Sequence, residues 1–314
     1  MNHLLADQPT EHRRRWLENR INQEALRFGR LSPRAIRTGK TSPIDYFLPS
    51  LRRGLRWAGL YQRGVANARD VRIVEHELAF TDLPPAFDGY RLLHLTDFHI
   101  DSLPGLEDVI SEHLTSLPCD ACVLTGDYRF STFGDYSLEV QRPLQQIMRS
   151  IRATDGTYAV LGNHDTHPAV RLLENMNVRV LLNENTTINR GAQQIILTGT
   201  DDPHYYYHPE AVAALRRSPG EFKVALVHSP ELYEEAATEG YQLYLCGHTH
   251  GGQVCLPGGT PVLRNLRKGR HLAHGVWQDQ QMTGYTSAGC GVSGLPVRFF
   301  SRGEITLFTL RRGQ

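Results

Sequence analysis

Five short apolar runs in this 314-residue chain are each followed at once by side chains that bind metal ions. Asp97 and His99 follow the run 92–96, and Asp127 follows 123–126. Asn163, His164 and Asp165 follow 159–162, His228 follows 224–227, and His248 and His250 follow 245–247. One ion would not use so many ligands. Mixed carboxylate, imidazole and amide donors in this number suit two divalent cations about 3.5 to 4 Å apart, with one carboxylate bridging them. Two such cations neutralise the charge with which a phosphate ester repels hydroxide, lower the pKa of a bound water and align it with the leaving group. The chemistry predicted from these residues is hydrolysis of a phosphate ester.

Residues so far apart in sequence meet only if the chain brings strand ends together. Strand-like runs are read at 72–80, 91–96, 121–125, 158–161, 194–198, 223–227 and 243–246, and strand texture returns over 282–310. Helix-compatible segments at 106–117 and 141–152 lie between them, giving an alternating α/β order. In an α/β sheet the carboxyl ends of the strands face one crevice, where ligands from several strands converge. The glycines in Gly126-Asp127, Gly162-Asn163 and Gly247-His248 are expected to supply positive φ and close backbone approach at those ends.

In the order Asp97-Phe98-His99, Gly126-Asp127, Gly162-Asn163-His164-Asp165, His228 and Gly247-His248-Thr249-His250, the sequence resembles the calcineurin-like metallophosphoesterases. Gly251-Gly252-Gln253, the run from Gly289 to Gly294 and Pro296-Val297-Arg298-Phe299 are similar to a branch of small bacterial phosphodiesterases that includes UDP-2,3-diacylglucosamine pyrophosphatase-like enzymes. The resemblance implies an α/β (α+β) fold, a four-layer αββα sandwich with a dinuclear metal site at the strand carboxyl ends. It also implies roles: Asp97, His99 and His250 on the first metal, Asn163, His228 and His248 on the second, Asp127 bridging, and a metal-bridging hydroxide as nucleophile. His164 matches the family residue beside the leaving-group oxygen, where it could donate a proton, and Asp165 is expected to orient it. Mn²⁺ is the first expectation for the two divalent ions, with Fe²⁺ or Zn²⁺ as alternatives.

Three residues are read as substrate contacts. Arg129 stands beside Asp127 and is either a clamp on the substrate phosphate or an ordinary surface arginine. His204 and Tyr205 lie in the aromatic stretch 201–209, which either lines a pocket for a sizeable substrate or packs on the surface. His167, His204 and His208 match no ligand position. The five cysteines, an odd number in a long chain, argue against a disulfide framework, and Cys119 and Cys122 are read as structural.

Charge divides the chain. Residues 1–72 hold 15 Lys and Arg against 6 Asp and Glu, a net of +9, while the remainder carries −8 and the whole +1. Residues 1–70 are read as a basic, partly helical segment and 71–314 as the metallophosphoesterase domain. Over 48–63, Leu48, Leu51, Leu55 and Ala58 fall on one side of a helix and Arg52, Arg53, Arg56 and Arg63 on another. Such a helix either docks on its own domain or lies on an anionic membrane surface. No apolar run reaches the length of a membrane span and residues 1–10 lack the pattern of a secretory leader, so the expected location is cytoplasmic, peripheral on the cytoplasmic membrane face. The core has no basic surplus for tracking a nucleic acid, and no obligate protein partner is inferred. The function expected is hydrolysis of a phosphodiester or pyrophosphate bond, on a lipid-linked or nucleotide substrate such as UDP-2,3-diacylglucosamine. The alternatives are a phosphomonoesterase, including a protein phosphatase, or a non-catalytic binding module on the same fold.

Overall fold

The alternation of apolar runs with amphipathic segments resolves, in a computed structural model that describes residues 10–30, 44–262 and 265–313, into two sheets enclosed by helices. Residues 1–9, on which the reading about a secretory leader rests, lie outside the described residues. In chain order the helices are α1 (Glu11–Gly29), α2 (Ile44–Trp57), α3 (Tyr61–Arg69), α4 (Leu106–Thr115), α5 (Leu138–Ser150), α6 (Pro168–Glu174), α7 (Pro209–Arg216) and α8 (Tyr233–Thr238). The strands are β1 (Val71–Phe80), β2 (Tyr90–Leu95), β3 (Ala121–Leu124), β4 (Thr157–Ala159), β5 (Val178–Val180), β6 (Glu184–Arg190), β7 (Gln193–Gly199), β8 (Lys223–Leu226), β9 (Leu243–Cys246), β10 (Gly275–Asp279), β11 (Met282–Thr286) and β12 (Gly303–Arg312).

Each sheet is mixed and six-stranded. The first runs β1-β12-β2-β3-β4-β5 and the second β10-β11-β9-β8-β7-β6. Strands β2 to β5 are parallel, as are β7, β8, β9 and β11, so their carboxyl ends share one edge within each sheet. Successive side chains of a strand point to opposite faces, and near-continuous apolar runs are what a sheet buried on both faces requires. Leu92 of β2, Val123 of β3, Leu226 of β8 and Leu245 of β9 pack in one core between the sheets. Their neighbours Leu93, Leu95 and Leu124 turn outward to meet Ile110 of α4 and Leu144 of α5. On the other side Ala225, Tyr244 and Cys246 meet Leu215 of α7 and Ala236 of α8. The four-layer αββα order follows.

One expectation needs correction. The helix read over 48–63 is two helices, α2 and α3, because the chain turns at Gly59 with φ of +69°. The Leu60 amide bonds to the Leu55 carbonyl at 2.9 Å and the Gly59 amide to the Arg56 carbonyl at 3.1 Å, the paired bonds by which a glycine closes a helix. The strand texture over 282–310 resolves into β11 and β12, and the loop between them donates from the Cys290 and Gly291 amides to the carbonyls of Thr96 and Asp97.

Candidate metal centre

Asp97, Asp127, Asn163, His228, His248 and His250 all emerge just beyond the ends of β2, β3, β4, β8 and β9, and the two sheets bring them together. Asp97, His99 and His250 offer ligand atoms within 4.8 Å of one another, and so do Asp127, His228 and His248. Asp127 joins the two groups, because its Oδ2 lies 3.4 Å from His99 Nε2 and 3.4 Å from His228 Nε2. Asn163 Oδ1 stands 2.9 Å from His228 Nε2 and 2.7 Å from His248 Nδ1.

The backbone at these turns is unusual. Asp97, His99, Asp127, His248 and His250 themselves have φ between +38° and +72°, a region that residues with a side chain seldom occupy. Gly126 supplies both expected features, with φ of +98° and an added Cβ that would stand 2.4 Å from the Gly162 nitrogen, whereas Gly162 and Gly247 serve close approach alone. A Cβ on Gly162 would stand 2.2 Å from Asp127 Oδ1, and one on Gly247 would stand 2.1 Å from Asp97 Oδ2. Strain of this kind gathers where a site needs its side chains aimed at one point.

Backbone carbonyls fix the imidazoles. His99 Nδ1 donates to the Arg129 carbonyl at 3.0 Å, His228 Nδ1 to the Thr125 carbonyl at 2.7 Å, and His248 Nε2 to the Asn265 carbonyl at 2.8 Å. A carbonyl only accepts, so the ring nitrogen facing it carries the hydrogen and the other nitrogen turns into the cluster. Burial, with neighbouring imidazoles adding to it, lowers the pKa of His99 to about 4 and sets those of His248 and His250 well below the usual histidine value.

This donor set fits divalent cations. Asp97 Oδ1 is buried without a hydrogen-bond partner and sits 3.5 Å from His250 Nε2 and 3.9 Å from His99 Nε2. Burial, aided by Asp127, pushes the Asp97 carboxyl up to about 7, the cost of a carboxylate kept from water beside another. Asp127 is held well below the usual carboxylate range against its burial, chiefly by His228 and His164. Asp127 in turn raises His228 well above the usual histidine value against its burial, and two buried carboxylates among these imidazoles are the mixed oxygen and nitrogen set that Mn²⁺, Fe²⁺ or Zn²⁺ takes.

His164 lies at the solvent side of the cluster, half-buried, its ring centroid 4.7 Å from that of His99. Its backbone amide donates to Asp127 Oδ1 at 2.8 Å and its Nδ1 to the Phe130 carbonyl at 2.5 Å. Asp165 does not make the orienting contact expected of it. Its carboxylate accepts from the amides of Asp127 at 2.7 Å, Gly162 at 2.8 Å and Tyr128 at 3.1 Å, and from the Tyr136 hydroxyl at 3.2 Å. It ties two strand ends to each other, and the Phe130 carbonyl orients His164 in its place.

Arg129 is not a surface arginine, and both its terminal nitrogens are taken up by protein groups. It is 1% exposed, donates to the Gly134 carbonyl at 2.7 Å and Thr166 Oγ1 at 2.8 Å, and lies over the Tyr136 ring at 4.0 Å. Its contribution to the cluster is the backbone carbonyl that holds His99. His204 is buried against Glu231 at 2.9 Å with its ring 4.4 Å from that of His248. Tyr205 is 44% exposed at the rim, flanked by the guanidinium groups of Arg27 at 4.1 Å and Arg267 at 5.8 Å. Sequence reasoning assigned no role to Arg298 beyond its motif. It is fully buried, and donates to the carbonyls of His250 at 2.9 Å, Ala288 at 2.6 Å and Gly291 at 2.7 Å, fixing the loops on either side of Asp97. The five cysteines are free and buried.

The sequence model of the calcineurin-like phosphoesterase family matches residues 90–252, the span from β2 to the turn after His250. The uncharacterized metallophosphoesterase YkuE of Bacillus subtilis is 28% identical over 250 residues, covering 77% of this chain and 86% of that protein. The phosphodiesterase YaeI of Escherichia coli is 29% identical over 255 residues, covering 76% of this chain and 87% of that protein. A cattle transmembrane protein with a metallophosphoesterase domain is 31% identical over 272 residues, 79% of this chain and 59% of that protein. Among the described residues of this chain, no helix is long and apolar enough to cross a membrane.

Proposed function

The chain belongs to the calcineurin-like phosphoesterase family and is a metal-dependent hydrolase, and from that premise we propose that it cleaves a phosphodiester or pyrophosphate bond at a dinuclear centre. Asp97, His99 and His250 would hold one divalent ion, Asn163, His228 and His248 the other, and Asp127 would be shared between them. The observation that carries this reading is the position of Asp127 Oδ2, equidistant at 3.4 Å from an imidazole of each group. Divalent ions, when bound, supply charge neutralisation on the phosphate and an acidified water. With His164 Nδ1 committed to the Phe130 carbonyl, Nε2 is the nitrogen left to pass a proton to the leaving oxygen. Diester preference is supported by the resemblance to YaeI, a named phosphodiesterase. Mn²⁺ is our choice of metal, since carboxylate and amide oxygens share the set with the imidazoles.

The substrate we favour is lipid-linked. Residues 1–70 are an extension of the domain formed by 71–314, and α2 presents Phe47, Leu51 and Trp57 to solvent, the last 93% exposed, beside Arg52, Arg53 and Arg56. On its other side Leu48 and Leu55 pack with Tyr61, Leu295 and Val297. An apolar crest flanked by arginines suits an anionic bilayer surface, with roughly 1 kcal/mol from each basic residue near it. This supports a peripheral position on the cytoplasmic membrane face as our reading, with UDP-2,3-diacylglucosamine as the first lipid to try. Co-sedimentation with vesicles containing phosphatidylserine tests this, comparing the wild type with Trp57→Ser/Arg53→Glu. Binding lost in the variant, with hydrolysis of bis-p-nitrophenyl phosphate kept, supports it; equal binding by both proteins removes the membrane part.

A further inference from the structure

Helix α1 lies outside the matched residues 90–252, yet its side chains reach the loop that carries Asn163 and His164. Its burial is inverted. Trp16, Arg20 and Glu24 are buried, whereas Leu17, Ile21 and Leu26 are exposed, Leu26 by 63%. A helix that turns its charged stripe inward does so because that stripe has partners there.

The partners are three alternate backbone positions of one loop. Arg27 Nη1 donates to the carbonyl of Asn163 at 2.7 Å, Arg20 Nη2 to the carbonyl of Asp165 at 2.5 Å, and Glu24 Oε1 accepts from the amide of His167 at 2.7 Å. Positions 20, 24 and 27 follow one helical face, so a single helix grips residues 163, 165 and 167 together. The grip is braced behind. Arg20 lies 3.4 Å over the Tyr206 ring and pairs with Asp201 and Glu24, Trp16 Nε1 donates to Asp201 Oδ2 at 2.8 Å, and Arg27 donates to the Tyr206 hydroxyl at 2.8 Å. Glu24 Oε2 also meets His167 Nδ1 at 2.8 Å.

We propose that α1 is a built-in clamp that positions the 163–167 loop, with Arg27, Arg20 and Glu24 as positioning residues for Asn163 and His164. The consequence for turnover rests on the hydrolase reading above, whereas the clamp itself does not. A buried backbone group that loses its partner pulls the loop toward whatever hydrogen bond or water it can reach. Asn163 carries a ligand amide on that backbone and His164 follows it, so a displacement of about 1 Å would separate the amide from His228 and His248 and cost on the order of a hundredfold in rate.

Arg27 is the position to change, because it is only half-buried and Arg20 is the more dangerous to folding. The experiment compares wild type, Arg27→Met and Arg27→Lys in the full chain by hydrogen exchange and mass spectrometry, by metal content after reloading with Mn²⁺, and by kcat and KM on bis-p-nitrophenyl phosphate. In Arg27→Met, peptides covering residues 162–168 should exchange at least about tenfold faster while those covering β8 are unchanged. One of the two metals should be weakened, and kcat should fall by about ten- to a hundredfold with KM little altered. Arg27→Lys, which keeps one donor, should recover part of each loss. Unchanged exchange at 162–168 overturns the clamp, and so does a loss spread equally over β8. If the wild type hydrolyses neither diester nor monoester, the hydrolase reading fails while the exchange comparison still decides the clamp.

Discussion

His99 Nε2 and His250 Nε2 face each other at 3.1 Å in a buried space. His99 has its hydrogen on Nδ1, toward the Arg129 carbonyl, so the nitrogen turned to His250 is a lone pair. His250 Nδ1 has no hydrogen-bond partner, so a hydrogen held there leaves both Nε2 lone pairs, with Asp97 Oδ1 3.5 Å from the nearer one, available to a cation.

Metal binding should therefore stabilise the fold. With Mn²⁺ at a hundred times its dissociation constant, linkage contributes about 2.7 kcal/mol per site. Differential scanning fluorimetry of metal-stripped and reloaded protein should show Tm higher by a few degrees when loaded. Equal Tm values in EDTA and in Mn²⁺ would count against the cluster as a cation site.

Asp127→Asn should abolish turnover and lower the bound metal. Replacing an anionic bridge between the two groups with a neutral amide removes charge from both sites at once, and several kcal/mol of transition-state stabilisation goes with it. Elemental analysis alongside turnover checks this; full activity in Asp127→Asn would remove the bridging role.

His164→Ala should behave differently. The imidazole is half-buried at the edge of the cluster, and the contribution we propose for it is a proton to the leaving oxygen. Turnover should fall by about 10²- to 10⁴-fold with both metals retained. The loss should be smaller for an ester with a p-nitrophenolate leaving group than for one with an alkoxide, since the former needs no proton. Equal losses on both esters would place His164 elsewhere in the reaction.

Stability should fall on mild acidification. Burial lowers the pKa of His94 to about 4, with Glu304 pulling weakly the other way, while in the unfolded chain it titrates near the usual 6.5. The folded state holds His94 neutral, so its stability is complete above about 6.5 and is lost as pH falls toward 4, by up to roughly 3 kcal/mol. His94→Gln, placed where His94 Nε2 meets Thr125 Oγ1 at 2.8 Å, should be less stable at pH 7.5 but lose less between pH 6.5 and 4.5 in urea titrations. Parallel pH profiles for the two proteins would assign the acid sensitivity to other groups.

The parts of the fold that could be read in the sequence are those that hydrophobic periodicity controls. Leu92 to Leu95, Val123, Leu226 and Leu245 announce strands buried on both faces, and the polar residues just beyond them announce a shared edge. Other elements are hidden for physical reasons. Strand β6, from Glu184 to Arg190, lies at a sheet edge and alternates buried Thr186 and Ile188 with exposed polar residues, so it resembles a loop in composition. Helix α1 misleads outright, since a pattern reader would turn Leu17, Ile21 and Leu26 inward and Arg20 and Glu24 outward. Arg129 shows the same limit, because nothing local says that a guanidinium will find Gly134, Thr166 and Tyr136 and be covered by them. Buried charges are decided by partners far along the chain, and one sequence does not display them.

The most direct test of the dinuclear centre is a titration of metal-stripped protein with Mn²⁺, reading bound metal and turnover of bis-p-nitrophenyl phosphate and p-nitrophenyl phosphate at each step. The arrangement around Asp127 predicts two ions per chain and turnover that rises with the second ion, and the proposed diesterase activity predicts faster cleavage of the diester than of the monoester. A chain that fills with metal yet cleaves neither ester, or one whose turnover survives complete chelation, would contradict it.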